Sequence, residues 1–284
     1  MEQIPRNCYR LSIISSCNMK CSYCHNEGNT KIDMLNKKDI EKLIVNSEGL
    51  GLKGIRLTGG EPLIHPEINE ICQMISQKYN LKIGINTNCI EIDKLVDMIN
   101  KGWINRVVIG MDYFDSDISK DSPIGESSMK ILENALKIKK LGCDVSISSV
   151  YTNDLENKLK LIKWGIENNV RIKILEIVKN EKYNTTSSDF LNIEKIIKEK
   201  FNLKYIKDEY NEISGYLNNI KVITFFHSHC RIRECDICKK IHLRVTASGK
   251  MKQCIYNTDD DIDIRKAAFR ENLIKYLNSP AKKY

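Results

Sequence analysis

No run of about 18 apolar residues occurs in the chain, so a membrane-spanning helix is not expected. Met1–Arg6 lacks a charged stretch leading into an apolar one, the mark of a secretory signal, and the expected location is the cytoplasm. There is no repeat on a scale of roughly 20–50 residues and no low-complexity segment, which leaves out solenoids and tracts of biased composition. What remains is globular. Over 284 positions, 42% of residues are hydrophobic and 29% charged, enough for one large domain, alone or with a small appendage. The net charge of +8 suits an anionic ligand such as a nucleotide. Many of the lysines fall on helix faces, as in Lys137–Lys139–Lys140 and Lys158–Lys160–Lys163, which argues against nucleic-acid binding as the main function.

Against these absences stand 11 cysteines. Without a secretory leader they read as reduced thiols and metal ligands rather than disulfides. Cys8, Cys72, Cys89 and Cys143 lie singly among apolar residues and are expected to be small buried hydrophobes. The others form two sets. Cys17, Cys21 and Cys24 are spaced C-x3-C-x2-C; Cys230, Cys235, Cys238 and Cys254 lie near the far end. Thiolates suit iron–sulfur clusters and zinc alike, and His25 would serve as a fourth ligand for zinc. Three thiolates on a [4Fe–4S] cluster leave one iron open to a second molecule.

Apolar periodicity places these sets on a scaffold. Strands are expected at Tyr9–Ile14, Gly54–Thr58, Lys82–Asn86, Val107–Gly110, Val145–Val150 and Ile172–Ile177. Helices are expected at Asn36–Leu50, after Pro66, and at Ile92–Asn100, Ser127–Lys140 and Leu155–Asn168. Six strands alternating with helices form a parallel α/β sheet, too few for a closed eight-stranded barrel; an open, partial (β/α)6 TIM-like barrel fits. Its functional face would be the C-terminal strand ends, where the first cysteine loop and Gly59–Gly60–Glu61–Pro62 both fall. The pattern changes near residue 180. Residues 1–180 are therefore expected to form the barrel core and 181–284 a smaller metal-bearing C-terminal region. That region has a helix at Asn192–Lys200, a strand at Ile220–Phe226, a cysteine-punctuated loop, and a hairpin pairing His242–Thr246 with Met251–Tyr256.

Cys17-x3-Cys21-x2-Cys24, with Tyr23 before the last cysteine, followed by Gly59–Gly60–Glu61–Pro62 after the second strand, resembles the radical S-adenosylmethionine (SAM) superfamily. The resemblance implies that Cys17, Cys21 and Cys24 hold a [4Fe–4S] cluster whose open iron binds SAM. One-electron reduction, by an electron donor protein, then yields a 5′-deoxyadenosyl radical that abstracts hydrogen from substrate. It also implies SAM contacts at Tyr23, Gly59, Gly60, Glu61, Thr87, Asn88 and Ser148. The glycines would let backbone approach the methionine ammonium closely.

The C-terminal cysteines narrow the resemblance. Cys235-x2-Cys238 and then Cys254, in the setting Leu243–Arg244–Val245–Thr246, are similar to the GTP 3′,8-cyclase (MoaA) family of molybdenum-cofactor synthesis. Arg10–Leu11–Ser12–Ile13, Asp112 and Glu176 also resemble it. This implies a second [4Fe–4S] cluster on Cys235, Cys238 and Cys254, and GTP as substrate, with Arg10 and Arg244 on its phosphates. The gap before Cys254 is 15 residues where that family usually has 13, and Cys230 offers a fourth ligand that would close the second cluster. Two alternatives stay open: a related radical SAM enzyme acting on a peptide or other small molecule, and a non-catalytic, metal-stabilised binding protein.

Overall fold

The computed structural model describes residues 3–21, 23–26, 32–112, 114, 127–177, 187–210, 212–228, 235–241, 243–252 and 261–280. Six strand–helix units come first: β1 (Cys8–Ile14), α1 (Lys37–Asn46), β2 (Gly54–Gly59), α2 (Ile68–Gln73), β3 (Lys82–Thr87), α3 (Asp93–Asn100), β4 (Arg106–Gly110), α4 (Ser127–Lys140), β5 (Asp144–Tyr151), α5 (Leu155–Glu167), β6 (Arg171–Glu176) and α6 (Ser187–Lys200). Then follow β7 (Lys204–Lys207), β8 (Ile213–Leu217), β9 (Ile220–Phe226), α7 (Cys235–Ile241), β10 (Arg244–Val245), β11 (Lys250–Lys252), β12 (Ile262–Asp263) and α8 (Phe269–Asn278).

β1 to β6 pair in order and in parallel, as crossover helices require. Each strand reads apolar on alternate positions. Tyr9, Leu11, Ile55, Leu57, Ile83, Ile85, Val107, Ile109, Ile172 and Ile174 are all but completely buried, and they form the side packed by the helices. The intervening residues line the other, concave side, and here they are polar: Arg10, Ser12, Arg56, Thr58, Asn86, Arg106, Ser146 and Lys173.

The C-terminal strands extend this sheet at both edges. β9 runs parallel beside β6 and carries the antiparallel β8 and β7; β10 runs parallel beside β1 and carries β11 and β12. The boundary expected at 180/181 falls in a stretch outside the described residues. Two further expectations are corrected. Cys235–Ile241 is a helix, not a loop, and α6 starts at Ser187 rather than Asn192. The expected hairpin forms as β10 and β11, turned at Thr246–Gly249, where Gly249 has φ +78°; residues 253–256 lie outside the described set. The N-terminal rim of the open barrel is bridged by Arg6, which pairs with Glu212 at 2.9 Å and lies over the Tyr210 ring.

Candidate active site

The two glycines after β2 join that strand to the exit of β1. A Cβ on Gly59 would stand 2.2 Å from the Ile14 carbonyl oxygen, and one on Gly60 2.0 Å from that of Ser16. The Gly60 amide donates to Ile14 O (2.7 Å) and the Glu61 amide to Ser16 O (3.0 Å). The close approach these glycines permit is therefore to the backbone leading into Cys17.

Glu61, 2% exposed, locks the junction. Its carboxylate accepts from the Leu63 amide (3.0 Å), the Thr87 hydroxyl (2.8 Å) and the Asn88 amide (2.8 Å). Burial raises its pKa, and those three hydrogen bonds oppose the rise. Asn88 then reaches the cysteine loop, its Nδ2 donating to Asn18 Oδ1 at 2.7 Å. Thr87 ends β3 as expected, but the polar groups of Thr87 and Asn88 are engaged by Glu61 and Asn18. His65 is fully buried: Nδ1 accepts from the Glu67 amide (3.1 Å), so Nε2–H donates to Leu35 O (2.9 Å).

Within the loop, Cys17 and Cys24 are exposed and Cys21 half-buried. The Met19 and Asn26 amides each donate to a sulfur, of Cys17 and Cys24 respectively, at 3.3 Å. Burial pushes the Cys21 thiol up to about 11, with Asp112 and the neighbouring thiols adding to the rise and a Tyr23 hydrogen bond opposing it. Burial also raises Cys17, and the Met19 amide opposes that. Two of the three sulfurs already accept N–H···S bonds, which favour thiolates and are the contacts that tune an iron–sulfur cluster. Among the described residues no three Cys, His, Asp or Glu side chains converge to hold a single ion, as zinc would need at Zn–S of about 2.3 Å. Thiolates on three separate irons stand wider apart.

Tyr23 donates its hydroxyl to Asp112, just past β4, and lies within hydrogen-bond reach of Cys21. Asp112 Oδ1 accepts from the Val150 amide at 2.6 Å. β5 runs to Tyr151, one residue past the expected Val150, paired with β6 to its end, and Ser148 lies within it, its carbonyl accepting from the Met111 amide (3.0 Å).

On the concave side, Arg10 and Arg244 are register partners on β1 and β10, so the two expected arginines do come together. Arg56 pairs in register with Arg10. Lys173 lies on β6, its ammonium disfavoured first by burial and then by Arg106, Arg56 and Arg171, with Asp144 opposing. Asp144 is already paired with Arg106 (3.3 Å) and Arg171 (2.5 Å). Ser146 Oγ and Asn86 Oδ1 are buried and have no hydrogen-bond partner among the described residues. Arg56 and Lys173 were not singled out in the sequence. The available signal was a cation between buried apolar strand residues, as in Ile55–Arg56–Leu57 and Ile172–Lys173–Ile174, which repeats the pattern of Tyr9–Arg10–Leu11.

Cys235 opens α7 and the half-buried Cys238 lies one turn on. Cys230, Cys254 and His229 are outside the described residues. His227 sits between two carboxylates: Nε2 is 3.1 Å from Glu194 Oε2 and Nδ1 3.8 Å from Glu176 Oε2. Of the isolated cysteines, Cys72, Cys89 and Cys143 are buried and Cys8 half-buried.

A parallel partial barrel with a three-thiolate loop and a Gly-Gly-Glu junction at its C-terminal strand ends is the architecture of an enzyme that generates a radical from SAM at an iron–sulfur cluster. The sequence model of the radical SAM superfamily matches residues 11–162, and the chain belongs to that superfamily. It is similar to the GTP 3′,8-cyclase of Alkaliphilus oremlandii, 28% identical over 276 residues, spanning 91% of this chain and 83% of that one. A probable GTP 3′,8-cyclase of Methanococcus maripaludis is 25% identical over 274 residues, 90% of this chain and 87% of the relative. In fold it resembles SuiB of Streptococcus suis, solved bound to SAM, with a TM-score of 0.72 at 16% identity; the match covers 96% of this chain but 65% of SuiB. No described helix is long and apolar enough to cross a membrane.

Proposed function

We propose that this chain is a GTP 3′,8-cyclase-type radical SAM enzyme that takes GTP into the concave side of its barrel. The carrying observation is the unbalanced positive charge there. Among the described residues neither Arg56 nor Lys173 has a carboxylate in ion-pair contact, and Asp144, the acid whose field reaches Lys173, is committed to Arg106 and Arg171. Half-buried cations without a carboxylate partner are costly to hold side by side; a polyphosphate is the ligand that would relieve them, with Arg10 and Arg244 fitted to its oxygens. The similarity to GTP 3′,8-cyclases runs over about nine-tenths of the chain.

Cys17, Cys21 and Cys24 would hold the first [4Fe–4S] cluster, which with SAM supplies hydrogen-abstracting radical chemistry. Gly59, Gly60 and Glu61 set the loop against β1, and Tyr23, Thr87, Asn88 and Ser148 border the same face. A second [4Fe–4S] cluster would be held by Cys235, Cys238 and Cys254, with Cys230 as a further donor. An electron donor protein and a cytoplasmic setting belong to this reading.

The test is an anaerobic incubation of reconstituted enzyme with GTP, SAM and a chemical reductant. The expected outcome is 5′-deoxyadenosine together with a cyclised GTP product, a KM for GTP raised by Arg56→Ala, and no SAM cleavage in Cys17→Ala. Deoxyadenosine formed with no GTP-derived product would overturn GTP as substrate while leaving the radical SAM assignment intact.

A further inference from the structure

Asp112 is held from three directions. Its carboxylate accepts from the Val150 amide at 2.6 Å and from the Tyr23 hydroxyl. Its backbone carbonyl accepts from Lys158 Nζ at 2.5 Å, and the same ammonium donates to Ser149 Oγ at 2.8 Å. Lys158 is fully buried, an arrangement tolerated only where a buried cation is well hydrogen-bonded. Phe114, two residues on, donates its amide to Asn157 Oδ1 at 3.0 Å. The ends of β4 and β5 and the start of α5 thus form one rigid seat under Asp112. From that seat a side-chain link reaches the cysteine loop, to the tyrosine that stands between Cys21 and Cys24 and lies within hydrogen-bond reach of the Cys21 sulfur.

We infer that Asp112 is a positioning residue for the first cluster: through the Tyr23 hydroxyl it fixes the Cys21–Cys24 arm of the loop on the ends of β4 and β5. On its Cys17 side the loop is tied to the barrel by Asn88 and by the Gly60 and Glu61 amides. The two attachments together would hold the three cysteine sulfurs at a fixed spacing. A phenylalanine at position 23 would serve packing equally well; the hydroxyl is explained by the carboxylate beneath it. The inference rests on the superfamily's cluster at these cysteines and not on GTP as substrate.

Tyr23→Phe, Asp112→Ala, the double variant and Asp112→Asn are reconstituted anaerobically. Iron and sulfide content, the electron paramagnetic resonance spectrum of the reduced cluster with and without SAM, and KM and kcat for SAM cleavage are measured. Tyr23→Phe and Asp112→Ala are each expected to change the SAM-bound spectrum and to raise the KM for SAM by about ten- to a hundredfold, the range found when an outer partner of a metal ligand is removed. Because they share one link, the double variant is expected to lose clearly less than the product of the two single losses. Asp112→Asn should recover most of the loss: its Oδ1 can accept from Val150 while Nδ2 donates to the tyrosine oxygen. A Tyr23→Phe enzyme with wild-type spectrum and KM, or additive effects in the double variant, would overturn the inference. Should Asp112→Ala not fold, Tyr23→Phe decides alone. A wild-type protein that takes up no cluster would instead indict the cluster assignment itself.

Discussion

Glu61 and His65 show how single buried groups hold a metal loop that has little packing of its own. Glu61 ties the β2 loop to the end of β3, and His65 bolts the following turn to Leu35, the residue where the chain returns from the cysteine loop. The His65 ring is neutral here, since one nitrogen accepts and the other donates, and burial lowers its pKa from 6.5. The folded state therefore binds fewer protons than the unfolded chain below that value. The contribution of His65 is fully present above 6.5 and is lost as pH falls through the folded value. Denaturation of the cluster-free protein followed across this range is expected to show stability falling with acid, with a shallower slope in His65→Gln; an identical slope would remove His65 as the cause. At this scale the cysteine triad and Glu61 were legible because their spacing and context are distinctive. Arg56 and Lys173 were not, because a lone cation in a strand acquires meaning only when its neighbours across the sheet are known.

At the scale of elements, alternation and helical spacing located the six barrel strands and five crossover helices within a few residues, since each buries one face against the others. Three differences have local causes. α2 ends at Gln73 and passes into a π-helical turn over Met74–Lys78, which still places Ile75 in the core. β7 and β8 escaped notice because an edge hairpin with Lys204, Lys207 and exposed Ile206 carries no clear apolar alternation. The helix of α7 was hidden by its cysteines, which drew attention as ligands. The decisive junction is that of β1 with the β2 loop. Gly60→Ala would drive a methyl into the Ser16 carbonyl, with backbone on both sides and no flexible side chain to yield. The loop must lift from β1, at a cost of about 1–3 kcal/mol for overpacking. Lower thermal stability of the cluster-free protein together with reduced iron uptake is the expected result. Unchanged iron uptake would show that the cysteine loop does not depend on this contact.

Across the whole molecule the sheet concentrates charge that the sequence distributes. The net charge of +8 looked like solvated helix faces, and much of it is; the exception is the concave side of the barrel, where parallel register stacks Arg10 beside Arg56 and Arg244, while Lys173 feels Arg56, Arg106 and Arg171. There burial and like charge lower the Lys173 pKa well below 10.5. In the ligand-free protein that lysine's contribution to stability is present above the unfolded value and is lost as pH falls through the folded one. A bound polyphosphate reverses the field and favours the ammonium, so binding draws in a proton wherever Lys173 is otherwise partly neutral. GTP affinity is therefore expected to weaken as pH rises toward the ordinary lysine range. Proton uptake on binding should appear in calorimetry as a dependence of the apparent enthalpy on buffer. Lys173→Met should flatten the pH dependence, abolish that uptake and weaken binding by about 1.5–3 kcal/mol, the worth of a hydrogen bond to a charged group. A pH-independent GTP affinity in the wild type would place the triphosphate away from Lys173, and with it the reason for leaving that cation unpaired inside the barrel.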